Sequence, residues 1–313
     1  MGYDWPHYDP TLEALLRPAK RHPYGLWAGE SGWSEEAVCA ELARLAYFPF
    51  DDEWKPRLAE ALAQGGFGAP ECWDSQVPLI GPIWARLLQW LRNRDAQAFG
   101  AVSLDGATAV VAFRGTQANR PRDVVSDMRF RCMKWPGPGR VHEGFWKAYQ
   151  SLAEPIEAWL QSVAPRRLII TGHSLGAGMA TVMAVLRPDS RLVTFGSPLV
   201  GDSEFVRAFE GRDMVRYIDC TDLVTSVPFE WLGYAPLGSI KYIDRDGVVH
   251  DPPPAAEAID EDRSRARRDY LRTYALKFGN VPVRGFADHT PVNYVSAVTG
   301  KRPAAQAGEA ADG

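Results

Sequence analysis

The stretch LIITGHSLGAGMATVMAVL, residues 168–186, decides the fold. Leu168–Thr171 is a short apolar run of the kind that forms a strand buried on both faces. Residues 175–187 are rich in Ala, Gly and Met and read as a helix. Between them Gly172-His173-Ser174-Leu175-Gly176 fits the G-x-S-x-G elbow, a sharp strand-to-helix turn that projects a serine. Such a turn needs flanking residues without bulk, which Gly172 and Gly176 supply. Ala177, Gly178 and Ala180 let the helix lie close to the strand, and its N-terminus beside Ser174 favours developing negative charge.

Working outward, the chain alternates strands and helices. Upstream, FGAVSLDGATAVVAFRGT (99–116) places two apolar runs around Asp105-Gly106, a hairpin signal. Residues 144–163 carry Phe145, Ala148, Tyr149, Leu152, Ile156, Trp159 and Leu160 at helical spacing. Arg191–Phe195 and Met214–Asp219 read as strands, with a helix over 203–210 between them. This rhythm predicts an α/β fold, a mostly parallel central sheet with helices on both faces. A small hairpin is expected at 240–244 and 248–250, then a loop over 251–258 and a charged helix over 261–277. Before the core, helices are expected from Ser34 to Tyr47 and over 82–93, behind an irregular arm at 1–34. The reading divides the chain into an N-terminal arm and helices packed on the core (1–95), the core (96–299) and a low-complexity tail (300–313).

A serine elbow needs an acid, a base and donors for an oxyanion. The first donor is the backbone N–H of Leu175, directly after the serine. Thr116, ending the strand VVAFRGT, offers both a backbone N–H and a hydroxyl as the second. In this fold type the order is serine, acid, histidine. Of the six histidines, His7, His22, His142 and His173 come too early. His289 begins a loop before the apolar segment VNYVSAV and suits the role, whereas His250 abuts three prolines on the hairpin and reads as a surface residue. For the acid, Asp213, Asp244 and Asp246 face turn alternatives. Asp219 and Asp222 both fit the end of the strand MVRYID, and alternation does not choose between them.

Composition narrows the function classes. The formal net charge of −4 speaks against nucleic-acid binding. No apolar run is long enough to span a bilayer, and the start MGYDWPHYDP lacks the apolar core of a Sec signal peptide. This leaves a cytoplasmic location or export by another route. Cys39, Cys72, Cys132 and Cys220 form no C-x-x-C pair, so neither a zinc site nor a disulfide framework is expected. Neither metal nor organic cofactor is required by the serine chemistry.

The blocks VVAFRGT (110–116), VHEGFWKAY (141–149), TGHSLGAGMATVMA (171–184), TFGSPLVGD (194–202), RYIDCTDLVTSVP (216–228) and DHTPVNYV (288–295) together resemble the class 3 lipase family, the fungal-type triacylglycerol lipases and their bacterial relatives. The resemblance implies an α/β-hydrolase fold and hydrolysis of carboxylic esters, typically acylglycerols, with a phospholipase A1-like or short-chain esterase preference as the alternative and an inactive lipid-binding protein on the same scaffold as a remote one. It implies Ser174 as nucleophile, Asp222 as acid, His289 as base, and Thr116 with Leu175 as oxyanion donors. It selects Asp222 over Asp219 because the family's acid lies six residues before the proline at 228. It also implies a lid between Thr116 and His142, with Asp123–Phe130 as its helix. The modest apolarity of that segment predicts weak interfacial activation and short- or medium-chain esters.

Overall fold

The computed structural model describes residues 7–27, 32–75, 96–115 and 131–301. The expected helix at 82–93, Thr116, the lid segment to Phe130 and the tail from residue 302 lie outside them. The arm carries two short helices, α1 (Leu12–Leu16) and α2 (Pro18–Arg21), where an irregular path was expected. Thr11 starts α1 by accepting from the Ala14 N–H, and Pro18 opens α2 at a position where its missing N–H costs nothing. Helix α3 (Glu35–Leu45) begins at Ser34, whose side chain accepts from the Ala37 N–H. Helix α4 (Trp54–Gln64) and the edge strand β1 (Glu71–Asp74) were not read from sequence.

The hairpin is strands β2 (Gln97–Val102) and β3 (Thr108–Phe113). A two-stranded ribbon follows, β4 (Cys132–Lys134) with β5 (Arg140–His142). Then come α5 (Glu143–Val163), β6 (Arg167–His173), α6 (Leu175–Leu186), β7 (Arg191–Phe195), α7 (Ser203–Arg207), β8 (Met214–Asp219), β9 (Ile240–Ile243) and β10 (Val249–His250). The chain finishes with α8 (Ala256–Thr273), α9 (Arg284–Ala287) and α10 (Pro291–Val298). The charged helix α8 thus starts and ends several residues earlier than its charge pattern suggested.

Among the described residues the main sheet has eight strands in the order β1-β2-β3-β6-β7-β8-β9-β10. Its centre, β3 to β9, is parallel, and the outer pairs are antiparallel. Alternation splits β3 between two cores: Val110 and Ala112 face one side, Ala109, Val111 and Phe113 the other. The first side packs on α3 and α10, the second on α5 and α6. The arm is fastened to the first layer by a fully buried ion pair. Arg44 bonds Glu41 through Nε and Nη2 at 2.7 Å and also donates to the carbonyls of His22 and Tyr24 at 2.6 Å. Glu41 in turn accepts from the Leu26 N–H at 2.7 Å, so both charges are satisfied.

Candidate active site

Strand β6 ends at His173 and α6 starts at Leu175, leaving Ser174 alone in the turn with φ 59° and ψ −128°. A non-glycine residue at positive φ is strained, and here the strain lifts the hydroxyl off the sheet's end. Close backbone packing maintains it. A Cβ on Gly172 would lie 2.5 Å from the carbonyl of Gly176, and one on Gly176 would collide with the Phe113 carbonyl oxygen. Gly178 leaves room for the Phe145 ring, which a Cβ would approach to 2.9 Å. Leu175 is the first residue of α6, so its N–H has no helix carbonyl to bond and is free to face an oxyanion. Gly115 lies against the elbow: a Cβ there would sit 3.0 Å from Ser174 Cβ and 2.8 Å from the His173 carbonyl oxygen. The chain therefore passes directly beside Ser174 one residue before Thr116, itself outside the described residues.

The structure brings Ser174, His289 and Asp222 into one line. His289 Nε2 is 2.8 Å from Ser174 Oγ, and His289 Nδ1 is 2.9 Å from Asp222 Oδ2. All three residues are buried, at 3, 2 and 3 % exposure. An ionised carboxylate only accepts, so Nδ1 carries the proton and Nε2 is left to accept from the serine hydroxyl. Gly196, at φ +57°, makes the approach possible, because a Cβ there would sit 2.9 Å from Asp222 Oδ2 and 3.0 Å from the His289 ring.

The other candidates are engaged elsewhere. His250 bonds Asp244 at 2.8 Å, His22 bonds Asp9 at 2.9 Å, and His142 caps α5 by accepting from Gly144 and Phe145 N–H groups. Asp213 lies 3.5 Å from Arg191 and Asp246 3.5 Å from Arg245. Asp219 is buried next to the site, and its backbone N–H donates to the Tyr294 hydroxyl at 3.1 Å.

Sequence reasoning missed the groups that hold Asp222 and His289. The Tyr294 hydroxyl donates to Asp222 Oδ2 at 2.6 Å, and the Val224 N–H donates to Asp222 Oδ1 at 2.9 Å. Burial, and then the charges of Asp222 and Asp219, push the Tyr294 phenol far above its ordinary range, so it stays a donor. Asp288, next to His289, is fully buried and pairs with Arg284 at 3.1 Å. It also accepts from the Thr221 N–H (3.1 Å) and hydroxyl (2.8 Å) and from the Tyr8 hydroxyl (2.8 Å). Thr221 adjoins Asp222, so one carboxylate ties the acid's loop to the base's loop. Arg284 spends its remaining N–H groups on the Ala266 and Arg245 carbonyls, which anchors this knot to α8. On the serine side Tyr47 Oη lies 2.8 Å from His173 Nδ1. Burial and the neighbouring His289 hold the His173 imidazole well below its usual range, hence neutral.

Residues 110–231 match the family model described as lipase (class 3). The secreted mono- and diacylglycerol lipase A of Penicillium camembertii is 30% identical over 153 residues, covering 45% of this chain and 49% of its own length. Phospholipase A1-II 3 of Oryza sativa subsp. japonica is 29% identical over 201 residues, covering 48% and 46%. The chain thus spans about half the length of the curated relatives it matches. A nonglycosylated Yarrowia lipolytica lipase superposes with a TM-score of 0.52 at 22% identity, over 70% of this chain and 81% of that one. Rhizomucor miehei lipase bound to its propeptide gives 0.51 at 20%, over 66% of each. These likenesses establish the fold, which is that of the α/β-hydrolases.

Proposed function

We propose, from the match of residues 110–231 to the class 3 lipase family model, that this chain is a serine hydrolase of carboxylic esters with an acylglycerol-type lipid substrate. The observation that carries the reading is the unbroken bond line from Ser174 Oγ through His289 to Asp222, at 2.8 and 2.9 Å. His289 Nε2 takes the Ser174 proton as Oγ attacks the ester carbonyl, and Asp222 stabilises the imidazolium across the Nδ1 bond. The developing oxyanion rests on the Leu175 N–H at the head of α6, with Thr116 as the proposed second donor. Collapse of the tetrahedral intermediate expels the alcohol with the proton held on Nε2, leaving an acyl ester on Ser174. Water, deprotonated by the same nitrogen, releases the acid and restores the serine. No step calls for a metal or a cofactor.

Ser174→Ala is expected to lower p-nitrophenyl butyrate turnover by at least about 10⁴-fold and to abolish labelling by a fluorophosphonate probe. Retention of either activity would sink the assignment. Both mono- and diacylglycerol lipase and phospholipase A1 appear among the relatives, so a panel of acylglycerols and phospholipids of increasing chain length separates the two head-group preferences. We expect short- or medium-chain acylglycerols to lead.

A further inference from the structure

The segment between Asp222 and His289 ends in a surface that ester hydrolysis does not use. After α8 the chain runs through Leu276, Lys277 and Phe278 before turning back toward α9. This loop is held on both sides. The Leu12 N–H bonds the Gly279 carbonyl and the Val281 N–H the Pro10 carbonyl, each at 2.8 Å. The Tyr270 hydroxyl donates to the Val281 carbonyl at 2.6 Å, and Asn280 Nδ2 donates to the Tyr274 carbonyl at 3.1 Å. On this fixed frame Leu276 is 95% exposed and Phe278 fully so, with Leu271 and Val283 also exposed. Single exposed apolar residues are ordinary, but a cluster held outward marks a contact surface.

Basic residues lie close to these positions along the chain. Arg267 and Arg268 precede Leu271 by four and three residues and share its face of α8. Arg272 and Lys277 flank the tip, and all four are exposed. On α8 itself Arg265 pairs with Glu261 and Asp269 with Arg245 at 3.3 Å. Among the described residues Arg267, Arg268, Arg272 and Lys277 enter no ion pair, in a chain whose net charge is −4. Apolar side chains at a tip with unpaired basic residues behind them match the layering of an anionic lipid surface, acyl chains below and phosphates above.

We propose that the loop 271–283 is an anchor for anionic lipid. Leu276 and Phe278 enter the acyl boundary, and Arg267, Arg268, Arg272 and Lys277 reach the phosphates. The anchor is continuous with the triad. A Cβ on Gly285 would lie 2.6 Å from the Thr221 carbonyl oxygen, so the descent from Val283 to His289 packs directly on the acid's loop. Docking therefore sets the orientation of the site to the lipid. The value of that orientation rests on the ester-hydrolase reading, while the docking itself is measured without turnover.

The test is vesicle flotation in a Ser174→Ala background, with phosphatidylcholine alone or with about one-third phosphatidylglycerol. The unmodified surface is expected to bind the anionic vesicles at least about tenfold more tightly than the zwitterionic ones. Leu276→Ser with Phe278→Ser should weaken binding by about tenfold or more, and Arg267→Glu with Arg268→Glu should abolish the anionic preference. With Ser174 intact, both doubles should hydrolyse soluble p-nitrophenyl butyrate within about twofold of the parent, which shows that they fold. The proposal is overturned if neither double alters flotation. It is equally overturned if the apolar double leaves flotation intact but turns a dimer into a monomer in sedimentation, because the patch is then a contact between copies of the chain. Loss of ester turnover in the parent would damage the catalytic reading and leave the flotation result standing.

Discussion

The two halves of the site are built by different physics. Around Ser174 the geometry is steric: backbone meets backbone at Gly172 and Gly176, the Phe145 ring fills the space at Gly178, and a strained φ of 59° is held by what surrounds it. Around Asp222 and His289 it is electrostatic, with a buried Asp288–Arg284 pair, two tyrosine hydroxyls and Thr221 bonding the two loops together. A close-packed turn tolerates almost no added volume. A hydrogen-bonded knot tolerates a change of shape but not the loss of one charge of a buried pair.

That contrast can be tested in order of severity. Gly176→Ala adds one methyl against an immovable carbonyl and is expected to cost about 3–5 kcal/mol in urea unfolding; a cost below about 1 kcal/mol would collapse the contrast. Asp288→Asn keeps volume and strands the Arg284 charge, so about 3 kcal/mol should be lost. Replacing both partners, Asp288→Leu with Arg284→Met, should recover much of that stability, whereas no second substitution of comparable size should rescue Gly176→Ala. Tyr294→Phe removes one bond to the acid and should reduce kcat about tenfold with KM unchanged, because the bond serves the charge that His289 develops; a change in KM alone would make Tyr294 part of the substrate surface.

The smallest effect concerns pH. His173 is held neutral in the folded protein, so its folded pKa lies below its unfolded value near 6.5. The unfolded chain then binds the extra proton first as pH falls. The stability this supplies is complete above about pH 6.5 and is lost progressively below it, toward the folded pKa. His22, also lowered by burial, acts in the same direction. His173→Asn should flatten the stability profile between about pH 6.5 and 5 by up to about 1.4 kcal/mol per unit; an unchanged slope would mean the imidazole is protonated in the folded protein.

The steric half was legible in the sequence because its information is local. Five consecutive residues between an apolar strand and a small-residue helix specify the turn, and each glycine has a near neighbour to avoid. Strands β6, β7 and β8 were read for the same reason, as short apolar runs at regular spacing. In the electrostatic half His289 was legible, but the groups that hold it and Asp222 were not. Tyr294 looks like any aromatic on an amphipathic helix, and Asp288 and Arg284 look like ordinary surface charges until Thr221, 67 residues away from Asp288, is placed beside them. Asp222 and Asp219 are alike in alternation and only the resemblance chose between them; in the structure it is Asp222 Oδ2 that lies 2.9 Å from His289 Nδ1. The arm's helices escaped because α2 spans four residues, too few to display a period.

Fastening the arm to the segment that carries His289 has a consequence for how the protein folds. Asp9 and Asn293 exchange bonds across 284 residues of chain, at 2.7 and 3.0 Å, and Tyr8 reaches Asp288 across 280. These contacts join two segments that lie far apart along the chain. They close only once the intervening core has brought the two segments together. Such high contact order slows folding. It also makes the surroundings of His289 depend on a long-range closure, because the neighbouring Asp288 takes one of its bonds from the arm.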